Sequence, residues 1–78
     1  MKLEIITPDK TVFEGNIKSA VFPGSEGSFG VLDNHAPMIA TLRAGKVEVT
    51  NENNSKQEFT VKGGVVEVLK NKVIVLAE

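Results

Sequence analysis

The sequence predicts an all-β fold, an antiparallel sandwich or barrel of short strands, on three observations. Apolar and polar residues alternate with period two along most of the chain. Turn-forming residues recur at intervals of roughly 8–12 positions, the spacing of small sandwiches and barrels. No segment carries a convincing helical period.

Taken in order, residues 3–7 form the first strand, with Leu3 and Ile5 on one face and Glu4 between them. Pro8-Asp9-Lys10 interrupts it, since proline cannot donate to a ladder and Asp closes turns. Short strands follow at 11–13 and 17–22, with a break expected at Gly15-Asn16. Beyond a loop shaped by Gly24, Gly27 and Gly30, further strands are expected at 28–32 and 38–42. Residues 46–50 alternate cleanly, Val47 and Val49 pointing one way and Lys46, Glu48 and Thr50 the other. Asn51-Glu-Asn-Asn-Ser55 reads as a polar hairpin tip, and 58–62 repeats the alternation with Phe59 and Val61 inward. Gly63-Gly64 marks a bulge or tight strand entry. The runs 65–69 and 73–76, joined by Lys70-Asn71 with Asn71 suited to positive φ, break the alternation by placing apolar residues on both faces. Their second face is covered either by the opposite sheet curling over it or by another protein.

Composition narrows the function. Seventy-eight residues form one domain, 1–78, near the small end of what folds alone, burying about 60% of its unfolded surface. Without cysteine there is no disulfide framework and no thiolate zinc site. The longest apolar run, 73–77, falls far short of the ~20 residues of a spanning helix, and Glu4 argues against a signal peptide. Net charge is −1 with Lys and Glu scattered singly, and the four aromatic residues are phenylalanines that read as core; nucleic acid is not the expected partner.

No cofactor is expected. The three spaced glycines are followed by Val31-Leu32 and then turn residues, where a phosphate loop would continue into Gly-Lys-Ser/Thr and a helix. No metal site is expected either, because Asp9, Glu26 and Asp33 do not approach the carboxylate density of a calcium loop. His35, the one histidine, lies near Ser28 and Asp33 in sequence, which suggests a hydrolytic triad. A triad also needs an oxyanion hole and a cleft, so a loop histidine bonded to backbone or poised at an interface is the better reading, and no catalytic residue is expected.

The run Gly24-Ser-Glu-Gly-Ser-Phe-Gly-Val-Leu-Asp-Asn-His-Ala-Pro-Met38, followed by Thr41-Leu-Arg-Ala-Gly45, closely resembles the signature of the epsilon subunit of F-type ATP synthase, in its N-terminal β-sandwich domain. Leu3-Glu-Ile-Ile-Thr-Pro8, Phe13-Glu-Gly15, Gly63-Gly64-Val-Val-Glu-Val68 and the ending Val73-Ile-Val-Leu-Ala-Glu78 fit the same family in the same order. The resemblance implies a ten-stranded sandwich in the central stalk, clamped to the gamma subunit and resting on the membrane ring of c subunits. It also implies a non-catalytic coupling role, held peripherally at the cytoplasmic face of the bacterial inner membrane.

Carried over residue by residue, the resemblance makes Ser25, Glu26, Gly27, Ser28 and Phe29 the ring-contact loop. Val31, Leu32, His35, Ala36, Pro37, Met38 and Ile39 become the gamma and ring interface. Ser28 stands where some members carry an acid, and Glu26 is the expected substitute for that charge. Most members continue into two C-terminal helices that inhibit ATP hydrolysis; the sequence ends at Glu78, about where these begin, so a subunit without helix-mediated inhibition is expected if the natural chain stops there, and one with it if the helices follow. The alternative reading is a free-standing small sandwich that uses the same loop to hold a peptide or ligand.

Overall fold

In a computed structural model, residues 1–78 form β1 (Lys2–Ile6), β2 (Thr11–Phe22), β3 (Phe29–Leu32), β4 (Met38–Leu42), β5 (Gly45–Asn51), β6 (Lys56–Val61), β7 (Gly64–Leu69) and β8 (Lys72–Ala77), with no helix. The strands make one curled sheet folded into two layers that share β2. The first layer runs β4-β7-β8-β1-β2, and the second places β3 and β5 on either side of β2 with β6 outside β5.

Eight strands stand where nine segments read as strands in the sequence, because Gly15-Asn16 is not a turn. The first half of β2 pairs with β1 as far as Asn16, and its second half pairs with β3 and β5, with a register irregularity between Ile17 and Ser19. The chain therefore turns a corner from one layer to the other without reversing, as strands of curled sandwiches do at a bend or bulge. A local break in pattern looks the same in sequence whether the strand stops or changes sheets.

Every pairing is antiparallel except that of β1 with β8, which runs parallel with Leu3 opposite Val73. That pairing joins the two ends of the chain and so leaves no short-range sequence signal. The local turns follow turn chemistry closely. Lys70 (φ 52°) and Asn71 (φ 60°) are both left-handed, the geometry of a two-residue hairpin whose twist matches its strands. In the β5–β6 tip the amide of Asn51 donates to the Ser55 carbonyl at 2.8 Å, and Asn54 takes φ 69°. Gly64 (φ 142°) opens β7, where a Cβ would collide with the Leu76 carbonyl of β8.

Fifteen buried apolar residues form one core cluster between the layers. Leu3, Ile5, Val66, Val68, Val73 and Val75 line it from the first layer, and Phe22, Val31, Val47 and Val49 from the second, with no buried polar or charged side chain among them. Phe13 and Phe59 stack obliquely at 5.3 Å beside the cluster.

Candidate docking surface

The doubly apolar runs of β7 and β8 have one face in the core and the other bare. Val66, Val68, Val73 and Val75 are buried, whereas Val65, Leu69 and Leu76 rank among the exposed large hydrophobics. The opposite sheet thus covers the inner face only. Register extends the bare face sideways: Ile39 of β4 stands opposite Glu67, and Glu67 opposite Ile74, while Val65 stands opposite Leu76. Ile39 is 71% exposed and Leu76 56% exposed, far above what their chemistry favours in water.

The same outer face changes character toward β1 and β2. Lys72 reaches Glu4 at 3.2 Å, while Lys2 reaches Glu14 at 3.3 Å and Glu4 at 3.8 Å, so two lysines and two glutamates neutralise one another. One half of the layer is a solvated ionic lattice, and the other half, on β4, β7 and β8, is an uncovered apolar patch.

The residues singled out in the sequence are distributed over several surfaces. Pro37, Met38 and Ile39 line a shallow cleft with Glu67, Val68 and Leu69 at the edge of the sheet; Ile39 belongs to the bare patch, while Met38 turns toward the core. Leu32 is 66% exposed but belongs to β3 in the second layer, paired with Ser19. Val31 corrects the sequence reading: at 0% exposure it sits in the core, because alternation along β3 turns it inward, and it has no surface to offer a partner. His35 is half-buried, its backbone amide donating to the Leu32 carbonyl at 3.2 Å and its ring Nδ1 2.7 Å from the Ala36 carbonyl. Asp33 instead meets the terminal ammonium of Met1 at 2.9 Å, so the histidine and this carboxylate are engaged apart from one another and form no triad.

The loop before β3 is a shaped projection pinned to β4. The Ser25 amide donates to the Thr41 carbonyl at 2.9 Å, Thr41 Oγ1 donates to Ser25 Oγ at 3.0 Å, and Arg43 Nε donates to the Gly24 carbonyl at 3.2 Å. Gly24 is buried here, and a Cβ on it would press on the Gly27 carbonyl and the Phe29 ring. Phe29 packs against Phe22 with ring centroids 5.6 Å apart and begins β3. Ser25, Glu26, Gly27 and Ser28 are all exposed, with Ser25 held to Thr41 and the Gly27 amide donating to the Gly24 carbonyl at 3.0 Å. Sequence reasoning did not name Val65, Glu67, Leu69, Ile74 and Leu76 as site residues, although the doubled apolar pattern of these strands was their signal.

Residues 1–78 match the family described as "ATP synthase, Delta/Epsilon chain, beta-sandwich domain". The ATP synthase epsilon chain of Chlorobium limicola is 42% identical over 77 residues, covering 99% of this chain and 88% of its own length. That of Chlorobaculum tepidum is 45% identical over 76 residues, covering 97% and 86%. The epsilon chain of a Nitratiruptor species is 40% identical over 78 residues, and against it the chain spans 60% of the relative's length. Among solved structures, a chain of the Euglena gracilis mitochondrial ATP synthase OSCP/F1/c-ring assembly superposes with a TM-score of 0.91 at 23% identity, over 96% of this chain and 48% of that one. A chain of the Tetrahymena thermophila central stalk and c-ring gives 0.79 at 19% identity, over 97% and 61%.

Proposed function

The chain belongs to the ATP synthase delta/epsilon β-sandwich family, and from that membership we propose that it is a non-catalytic epsilon-type subunit of the central stalk, coupling the gamma subunit to the rotating c ring. The uncovered apolar face of β4, β7 and β8 carries this reading, since a chain working alone would gain by covering it. In the proposed arrangement that face, with Pro37, Met38 and Ile39 along its margin, docks on gamma. The projecting Ser25, Glu26, Gly27 and Ser28 reach the ring, with Glu26 supplying the charge at the tip.

The mechanical requirement is stiffness. A close-packed valine-rich core has low compressibility, and contacts through both the loop and the sheet face hold orientation against torque better than either alone. The chain itself contributes binding surfaces and no reacting group; its place at the cytoplasmic side of the membrane follows from the complex it joins, coupled to proton passage through the ring. Inhibition of hydrolysis is not assigned to these residues. The relatives' names favour this reading over a free-standing ligand-binding sandwich.

Affinity capture tests it. The tagged chain, incubated with detergent-solubilised membranes of its source, is expected to recover the gamma and c subunits. Recovery of neither, or a stable complex with an unrelated soluble protein alone, overturns the assignment.

A further inference from the structure

The bare face holds one carboxylate, Glu67, that makes no ion pair, although Lys70 and Lys72 line the same hollow. Glu67 has Ile39 and Ile74 on either side of it across the sheet, and Val65 and Leu69 two positions away along its own strand. Its carboxylate takes part in none of the ion pairs of the protein, and Lys72, the lysine of the adjoining strand, is committed to Glu4. In water this isolation costs little. Once an apolar partner covers the patch, water leaves, and an unpaired carboxylate becomes strongly unfavourable unless a cation or several donors replace its hydration.

The proposed docking and the exposed acid can coexist only if the partner answers the charge. We propose that the element seated on β4, β7 and β8 is apolar apart from one basic side chain, a lysine or arginine, that reaches Glu67 within the covered patch. The inference rests on the stalk reading above, and it adds a chemical specification of the partner. Pairing of this kind gives specificity and register more than raw affinity, because a partner lacking the cation would bury an uncompensated charge. A stalk that must not slip rotationally benefits from such a fixed point among otherwise non-directional contacts.

The test is a charge swap in the complex of the full chain with the gamma subunit of the same source, followed by calorimetric titration. Glu67→Lys is expected to melt as the parent does and to weaken the complex at least ~30-fold, the scale of breaking one desolvated pair. Glu67→Gln, which keeps the shape, is expected to weaken it several-fold and to flatten its salt dependence. Changing single basic residues of gamma to glutamate in turn should yield one variant that restores binding to Glu67→Lys and itself binds the parent chain poorly. Parent-like affinity for Glu67→Lys, or the absence of any restoring change on gamma, overturns the pairing. Restoration by Lys70→Glu within the chain also overturns it, because Lys70 lines the same hollow as Glu67 and would then be the answering charge. Should the unaltered chain fail to bind gamma, the stalk reading itself falls, which separates that failure from failure of the pairing.

Discussion

Replacing Ile39 by serine separates docking from folding more cleanly than any other change on the patch. Complete burial of an isoleucine side chain stabilises by roughly 1.5–3 kcal/mol. Because Ile39 is 71% exposed, most of that energy is not realised in the isolated chain: folding should lose under ~1 kcal/mol, while a covering partner would lose about 1–2 kcal/mol. The complex with gamma should therefore weaken about tenfold, given that 1.4 kcal/mol is a factor of ten in affinity. Urea unfolding followed by circular dichroism measures the first quantity, and titration calorimetry against gamma the second. Unchanged affinity with a normal fold would refute the docking face, and a large loss of folding stability would show that Ile39 packs more tightly than its exposure indicates.

Val66→Ala, in the same sheet but facing inward at 0% exposure, should show the opposite partition, losing about 2–3 kcal/mol in urea titration with affinity per folded molecule retained. Gly64→Ala introduces a Cβ against the Leu76 carbonyl at φ 142° and should cost at least ~3 kcal/mol, read as a collapse of the unfolding midpoint; a midpoint within error of the parent would contradict the close approach. Asn71→Gly keeps the left-handed turn but removes the Oδ1 that accepts the Asn34 amide at 2.8 Å, so hydrogen exchange at Asn34 should accelerate with a stability loss of about 1 kcal/mol. Glu26→Gln at the exposed loop tip should shift stability by less than ~0.5 kcal/mol yet lower proton-driven ATP synthesis in reconstituted enzyme, and undiminished synthesis would remove Glu26 from the ring contact.

Much of the fold is legible locally. Val47 and Val49 face inward as their alternation requires, Lys70-Asn71 forms the left-handed hairpin turn, and Gly63-Gly64 enters a strand under close backbone contact. These features depend on neighbours within a few residues. Gly15-Asn16 and the β1–β8 pairing show where that reasoning stops: a bend between sheets and a break between strands share one sequence pattern, and strands at opposite ends of the chain choose direction by closing the core. The docking residues divide the same way. Ile39 stands on the bare face, whereas Met38 beside it packs against the core, Val31 turns inward and Leu32 stands on the other layer, because adjacent strand residues face opposite sides.

By itself the sequence determined the strand periodicity, the turns other than that expected at Gly15-Asn16, the family likeness and the presence of an apolar face in excess on the last two strands. Only the tertiary structure decided that this face lies open, that Ile39 joins it from β4, and that Glu67 is stranded within it while Glu4 is paired. The reason is that alternation assigns a residue to one side of its own strand, but exposure and charge balance are settled by which strands lie beside it and what the opposite sheet covers.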